Sequence, residues 1–335
     1  MFSGLVYHVE SYSQAPPRSV FDDVIAGAIL AEELGFDEIW FAEHHFGYHK
    51  SDMPAPLIFA THIAAVTRRI RIGTAIVVLP IHHPIAIAEQ AAVLDVLSGG
   101  RLSIGFGSGT SELEFNAYGV DREQRHARFR EALEILLLAW SGDPFSYAGT
   151  YHTVKGPIAV RPRPVQPVDT LAWVGASSVP SAQVAGELGM GIMLPRGRPL
   201  DIYVEISNAF QKARHASGHA PGRVSIARNV FVAATREEAM RIGVPAMRAF
   251  CRRWHPGDSI SDAPSSELFE RLRFIIGSPD DCFNQLDELR RVTGATHVSI
   301  QPTWDDLPQD SVMRSITLIG REVLPKLRAQ MRTPG

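Results

Sequence analysis

The residues best suited to chemistry lie together at Glu43-His44-His45-Phe46, where a carboxylate and two imidazoles follow one another. An imidazole, with an ordinary pKa of about 6.5, can donate or accept a proton near neutrality. The cluster closes a short apolar run, Asp37 to Phe41, that follows a helical segment ending at Leu34-Gly35. Helix, glycine, strand and polar cluster, in that order, put the histidines at the carboxyl end of a strand, where parallel α/β proteins handle ligands. Neighbouring side chains on a strand face opposite ways, so His44 and His45 cannot both meet one ligand. One is expected to serve the ligand and the other the fold. Glu43 either orients a histidine or faces solvent.

Other candidates are placed similarly. Tyr7 and His8 end the first apolar run, and His82 and His83 flank a turn before Pro84. Ser177 and Ser178 precede a helix at Pro180, where free N–H groups and hydroxyls make an anion seat. Serine also suits helix entry for its own sake. A metal-dependent hydrolase would need several histidine and carboxylate ligands from different strand ends. His8, Glu43 and His44 can be grouped that way, but no later strand end supplies a convincing partner, so no metal site is assigned.

Strand-like and helix-like segments alternate along the chain. Apolar runs at Phe2 to His8, Asp37 to Phe41, Ile70 to Leu79, Leu102 to Gly107, Thr170 to Gly175, Gly191 to Leu194, Val224 to Ala234 and Thr296 to Gln301 make eight strands. Helical periodicity marks Ser19 to Leu34, Pro54 to Thr67, Pro84 to Leu97, Pro180 to Leu188, Leu200 to Ser217, Arg236 to Arg253, Pro279 to Thr293 and Asp310 to Arg328. Arg122 to Trp140 is a further amphipathic helix with Phe129, Leu133, Leu136 and Leu137 inward. Three stretches interrupt the rhythm: a long loop at Ser108 to Asp121, a segment from Gly142 to Pro167 with a hairpin at Tyr147 to Arg163, and His255 to Gly277, a candidate lid. Eight strands with helical partners favour one closed (β/α)₈ TIM barrel over residues 1–335. An open dinucleotide fold would need a glycine fingerprint after its first strand, and Tyr7-His8-Val9-Glu10 is not one.

Composition excludes several function classes. The net charge of −3, with no basic run, argues against a nucleic-acid partner. Ile70 to Ile81 is too short and interrupted to span a bilayer, and Met1 to Glu10 lacks the pattern of an export signal. Cys251 and Cys282 form no close pair or metal-like spacing, which fits a reducing cytoplasm.

Ala42-Glu43-His44-His45-Phe46, Gly73 to Pro80, His83-Pro84, Leu94-Asp95 and Ser98-Gly99-Gly100-Arg101, in this order and spacing, resemble the bacterial luciferase-like family of flavin-dependent monooxygenases. The similarity is closest over Leu34 to Gly109 and legible again from Trp173 to Gly189. The resemblance implies that His44 sits beside reduced flavin as a catalytic base or hydrogen-bond donor. It implies a cis peptide at Ala75-Ile76 pressing on the flavin ring, and a phosphate seat at Ser177, Ser178 and Ser181. It further implies reduced FMN and dioxygen as reactants, a small organic substrate, a separate NAD(P)H:flavin reductase, and a homodimer through Pro54 to Thr67 and Pro84 to Leu97.

Two positions depart from the luciferases, which place a cysteine at Gly107 and an arginine at Ser108. Losing the cysteine is expected to open space over the ring, and losing the arginine removes a charge from the phosphate seat, which Arg196 would partly replace. Val6, Phe41, Val78, Leu79 and Phe106 are expected to wall a dry cavity. Deazaflavin-dependent relatives usually carry an Asp-His-Phe type sequence at the histidine pair, so FMN is favoured over a deazaflavin performing hydride transfer. A non-catalytic flavin-binding relative is the third reading. The substrate is not legible, because loops set it.

Overall fold

A computed structural model describes residues 1–11, 16–254, 257, 259–305 and 307–330. The chain opens with β1 (Phe2–Tyr7), α1 (Pro17–Glu33), β2 (Glu38–Phe41), α2 (Pro56–Val66), β3 (Arg71–Val78), α3 (Pro84–Ser98) and β4 (Leu102–Gly107). It continues through α4 (Glu112–Ala117), α5 (Arg125–Ser141), the hairpin β5 (Phe145–Ala148) and β6 (Thr153–Ile158), α6 (Val168–Leu171), β7 (Ala172–Gly175), α7 (Val179–Glu187) and β8 (Gly191–Leu194). It ends with α8 (Leu200–Ala216), β9 (Val224–Val232), α9 (Arg236–Trp254), α10 (Ser265–Leu272), β10 (Ile275–Gly277), α11 (Pro279–Thr293), β11 (His297–Gln301), α12 (Gln309–Leu318) and α13 (Leu324–Ala329).

Strands β1, β2, β3, β4, β7, β8, β9 and β11 pair in parallel in that order, and β11 returns to β1. This is the expected closed (β/α)₈ barrel. β10 adds a short parallel pairing to the end of β9. Among the described residues no helix is long and apolar enough to cross a membrane.

The barrel interior is plugged by two indoles. Trp40 and Trp173 are fully buried and meet edge to face at 5.7 Å. They fit because their neighbours on adjoining strands have no side chain: a methyl on Gly73 would lie 2.1 Å from the Trp40 ring, and one on Gly191 2.6 Å from the Trp173 ring. Toward the amino end, the Trp173 ring meets His297 edge to face at 5.0 Å, and alternation along β2 turns Glu38 inward with Trp40. On the carboxyl side of the plug the barrel opens into a cavity.

Two of the irregular stretches carry more structure than the sequence suggested. The expected loop at 108–121 contains α4, capped by Ser111, whose hydroxyl accepts the Glu114 N–H at 3.3 Å. In the expected excursion at 255–277, a 3₁₀ turn (Ser259–Asp262), α10 and β10 cover a second apolar cluster around Phe231, Phe250 and Trp304; His255, Pro256 and Asp258 lie outside the described residues. The hairpin is present as β5–β6 but spans 145–158 rather than 147–163. Glu131 of α5 holds its turn, accepting the N–H groups of Thr150 at 2.8 Å and Tyr151 at 3.0 Å, and that of His152. Asp95, wholly buried, accepts the N–H groups of Val165 and Gln166 where the insertion rejoins the barrel.

Candidate active site

The cavity at the carboxyl end of the barrel has a volume of about 400 Å³. It collects residues from the carboxyl ends of β1, β2, β3, β4, β7, β8 and β11 and from the first half of β9. Seven of the nine site residues inferred from sequence meet there: His44, Ala75, Ile76, Gly107, Ser108, Ser177 and Arg196. Ser178 and Ser181 do not line it. Their hydroxyls are engaged in capping α7, with the Ser181 hydroxyl donating to the Ser178 carbonyl at 2.8 Å and accepting the Ser178 N–H at 3.2 Å. Ser177, one residue earlier, faces the cavity in front of the helix entry.

The tandem histidines diverge. His44 lines the cavity, while His45 is buried behind it, 4% exposed, with its ring bonded to Glu43 and Tyr118. Glu43 Oε1 accepts from His45 Nε2 at 2.9 Å and from His82 Nε2 at 2.7 Å, and Glu43 Oε2 accepts the Val78 N–H at 3.3 Å. The carboxylate thus orients two imidazoles, and these partners hold its pKa below the usual value against burial. Glu43, His45 and His82 are also the one described trio whose atoms converge closely enough to hold a metal ion. The spacings of 2.7 and 2.9 Å are those of N–H···O bonds and account for the grouping without one.

His44 does not match the expectation of a group exchanging protons near neutrality. Burial, reinforced by the Arg196 charge, lowers its pKa to about 4, with Glu43 opposing. Its Nε2 lies 3.0 Å from His8 Nδ1, and the two rings stack at 5.2 Å between centroids. His8 Nε2 in turn lies 3.0 Å from Arg196 Nη1, which also bonds the Gln301 side chain. Arg196, expected toward the phosphate seat, thus has its described partners at the histidine end.

The absent cysteine opens no space. A methyl on Gly107 would lie 2.6 Å from Ile76 Cδ1, so the isoleucine occupies the volume that Gly107 vacates. Gly105 and Gly175 make room for the same side chain. The Ala75–Ile76 bond is cis and falls where the β3–β4 register shifts between Thr74 and Val77. Of the five apolar residues expected as walls, Val6 and Val78 line the cavity. Phe41, Leu79 and Phe106 are instead fully buried in the main core; Phe41 meets Phe59 of α2 at 4.9 Å, because strand alternation turns it outward to the helices.

Several cavity residues escaped sequence reading. Glu114 accepts the His45 N–H at 2.8 Å, and its signal was the Ser111-x-x-Glu114 pattern of a capped helix start. Ser225 and Ser299 share a 2.8 Å hydroxyl contact in the cavity lining. Asn229, on the same face of β9 as Ser225 and Ala227 but outside the cavity lining, has both amide atoms buried with no partner among the described residues. Polar residues within the otherwise apolar run Val224–Val232 were the clue.

Residues 2–297 match the family of luciferase-like monooxygenases. The chain belongs to that family. Its relatives include both a monooxygenase and an F420-dependent dehydrogenase. The chain is 28% identical to 4-hydroxyprotoasukamycin monooxygenase of Streptomyces nodosus subsp. asukaensis, over 98% of this chain and 93% of that one. It is 32% identical to an F420-dependent glucose-6-phosphate dehydrogenase of Beutenbergia cavernae, over 58% and 57%. Among solved luciferase-like folds, the oxygenating constituent of 3,6-diketocamphane monooxygenase from Pseudomonas putida, in complex with FMN, superposes with a TM-score of 0.83 at 23% identity, over 97% of this chain and 98% of that one. The family is one of flavin-dependent oxidoreductases.

Proposed function

We propose that this protein is a flavin-dependent monooxygenase that takes reduced FMN from a separate NAD(P)H:flavin reductase and uses dioxygen to oxidise a small organic substrate. The observation that carries this reading is the division of the cavity. Apolar Val6, Ala75, Ile76, Val78, Met193 and Leu194 line it together with the polar pair His44 and Arg196 and with Ser177 before the opening of α7. Its volume falls within the range of about 300–1,000 Å³ typical of small-molecule sites.

Reduced FMN, when bound, activates dioxygen; the protein supplies the surroundings. In this reading Ile76 supports the flavin ring, Ser177 and the first N–H groups of α7 hold the phosphate, and His44 presents its imidazole to the reacting end. The apolar lining excludes water. A homodimer through α2 and α3 fits the large apolar side chains exposed there, Ile58, Val93, Val96 and Leu97.

The F420-dependent relative keeps a second reading in play, hydride transfer by a deazaflavin. Anaerobic binding titrations with reduced FMN, reduced FAD and a reduced deazaflavin decide between them. The tightest binding is expected for FMN, and dioxygen-dependent substrate oxidation with supplied reduced FMN should follow. Preference for the deazaflavin, with turnover indifferent to dioxygen, would replace oxygenation by hydride transfer. Stoichiometric metal in the purified protein would overturn both.

A further inference from the structure

We infer that Arg196, acting through His8, locks His44 into a single tautomer, with its proton on Nδ1, and so makes it a hydrogen-bond donor that stays neutral at neutral pH. The inference rests on the placing of His44 at the reacting end of the oxygenase site, and adds how that residue works and which two residues set it.

The argument follows the direction of each bond. A guanidinium has donors only, so the hydrogen between Arg196 Nη1 and His8 Nε2 belongs to the arginine. His8 Nε2 is therefore a bare acceptor, and the proton of a neutral His8 sits on Nδ1. That Nδ1 lies 3.0 Å from His44 Nε2 and donates to it. His44 Nε2 is thus an acceptor in turn, and the one proton of the neutral ring is on Nδ1. The tautomers follow from the direction of these contacts.

The far end of the chain is anchored as well. Gln301 Nε2 donates to the Thr303 carbonyl at 2.9 Å, which turns the Gln301 amide oxygen toward Arg196 Nη1. The rings of Phe250 and Trp254 lie 5.5 and 5.4 Å from the guanidinium carbon and hold it from the second apolar cluster. Arg196 is therefore a fixed charge with a fixed bond direction.

For His44 to accept a proton it must carry hydrogens on both nitrogens. Its Nε2–H would then point at His8 Nδ1, which must become an acceptor, and His8 would move its proton to Nε2, against the Arg196 N–H. Two donors would face each other beside a positive charge. Glu43 attracts a proton to His44, while Arg196 and His45 oppose it; Tyr48, which meets the ring edge on at 5.9 Å, is an uncharged neighbour. The positioning residues are thus His8 and Arg196, and the tautomer they impose is the minor one of free histidine.

The test uses flavin-free full-length protein labelled with ¹⁵N-histidine, with the His8 and His44 signals assigned by their loss in His8→Gln and His44→Gln. At pH 7 both rings are expected to carry their proton on Nδ1, and His44 is expected to stay neutral down to about pH 5. Arg196→Lys, also a pure donor, should keep the tautomers. Arg196→Met should release His44 to the Nε2–H form and raise its pKa by about one unit or more. His8→Gln provides a second route should Arg196→Met not fold: an amide can accept from Arg196 and donate to His44, so it should keep the His44 tautomer, and His8→Leu should lose it. An Nε2–H tautomer or an imidazolium at His44 at pH 7, or spectra indifferent to Arg196→Met and His8→Leu, would overturn the inference. No flavin enters the measurement, so failure here leaves the oxygenase reading standing, and failure to bind FMN leaves the tautomer lock standing.

Discussion

The two ends of the barrel use polar groups in different ways. At the amino end Arg101 and Glu32 are tied mainly to backbone. Arg101 donates to the carbonyls of Ala64 at 2.9 Å, Ile70 at 3.0 Å and Ser98 at 2.9 Å, and to the Thr67 hydroxyl at 3.0 Å. Glu32 accepts the consecutive N–H groups of Arg68, Arg69 and Ile70 at 2.9, 2.6 and 2.9 Å. At the carboxyl end side chains bond to side chains: Arg196 to His8, His8 to His44, Glu43 to His45 and His82, and Tyr118 to His45. A charge spent on backbone fixes a loop whatever else is bound. A chain of side chains fixes proton positions, which is what a reaction site needs. Motif residues that resembled one family signature in sequence therefore separate into two jobs.

The largest expected effect breaks the carboxyl end alone. His44→Ala should lower coupled product formation about 10²-fold or more and divert turnover toward hydrogen peroxide, with reduced-FMN binding largely kept and stability changed by no more than about 1 kcal/mol. Coupling and product yield like the wild type's would remove His44 from the chemistry. Arg101→Met is the mirror experiment. Losing five hydrogen bonds from a charged donor should cost about 3 kcal/mol in urea unfolding, while the folded fraction binds reduced FMN as before. A folded Arg101→Met protein unable to bind the cofactor would erase the distinction between the ends.

That distinction was only half visible in the sequence. Strand count, barrel closure and the divergence of His44 from His45 follow from periods of two and 3.6 residues, which any reader of the chain can measure. The function of Asp95 and Arg101 does not, because their partners at Val165, Gln166, Ala64 and Ile70 are set by where loops return in three dimensions. Phe41 and Phe106 were misassigned to the cavity because apolar strand ends look alike in sequence while parity decides which face they take. The space at Gly107 was misread for a related reason: a missing side chain says nothing about which neighbour, here Ile76, moves in. The His8–Arg196 contact joins residues 188 positions apart and leaves no local pattern.

The insertion gives a smaller test of the same contrast. Glu131 offers two anionic oxygens to three N–H groups in the hairpin turn. Glu131→Gln replaces one oxygen by an amide group that faces those donors, at a cost of about 2 kcal/mol. Because this bonding is to backbone, the loss should appear as hydrogen exchange confined to 145–158, with the cavity unaffected; a change in cofactor affinity would mean that the hairpin supports the site directly.

The smallest effect is a matter of sign and separates the two ends by pH. Glu38, at the closed end, is pushed up from 4.5 to about 7 by burial, which Arg71 at 3.9 Å only partly offsets. The folded protein therefore holds a proton that the unfolded chain releases, so this carboxyl's contribution is full below pH 4.5 and is lost as pH rises to about 7. His44, lowered from 6.5 to about 4, and His297, lowered to about 3, work the other way: their contributions are full above pH 6.5 and are lost as pH falls. Between pH 4.5 and 6.5 the opposed slopes offset one another in the wild-type protein. Glu38→Gln removes one side, so its stability should rise with pH across that window more steeply than the wild type's. It should also lack the wild type's decline toward pH 7, a difference of about 1–2 kcal/mol by pH 8 once relaxation around the buried charge is allowed for. Parallel stability curves for the two proteins would mean that Glu38 keeps an ordinary carboxyl pKa, and that the plug admits water.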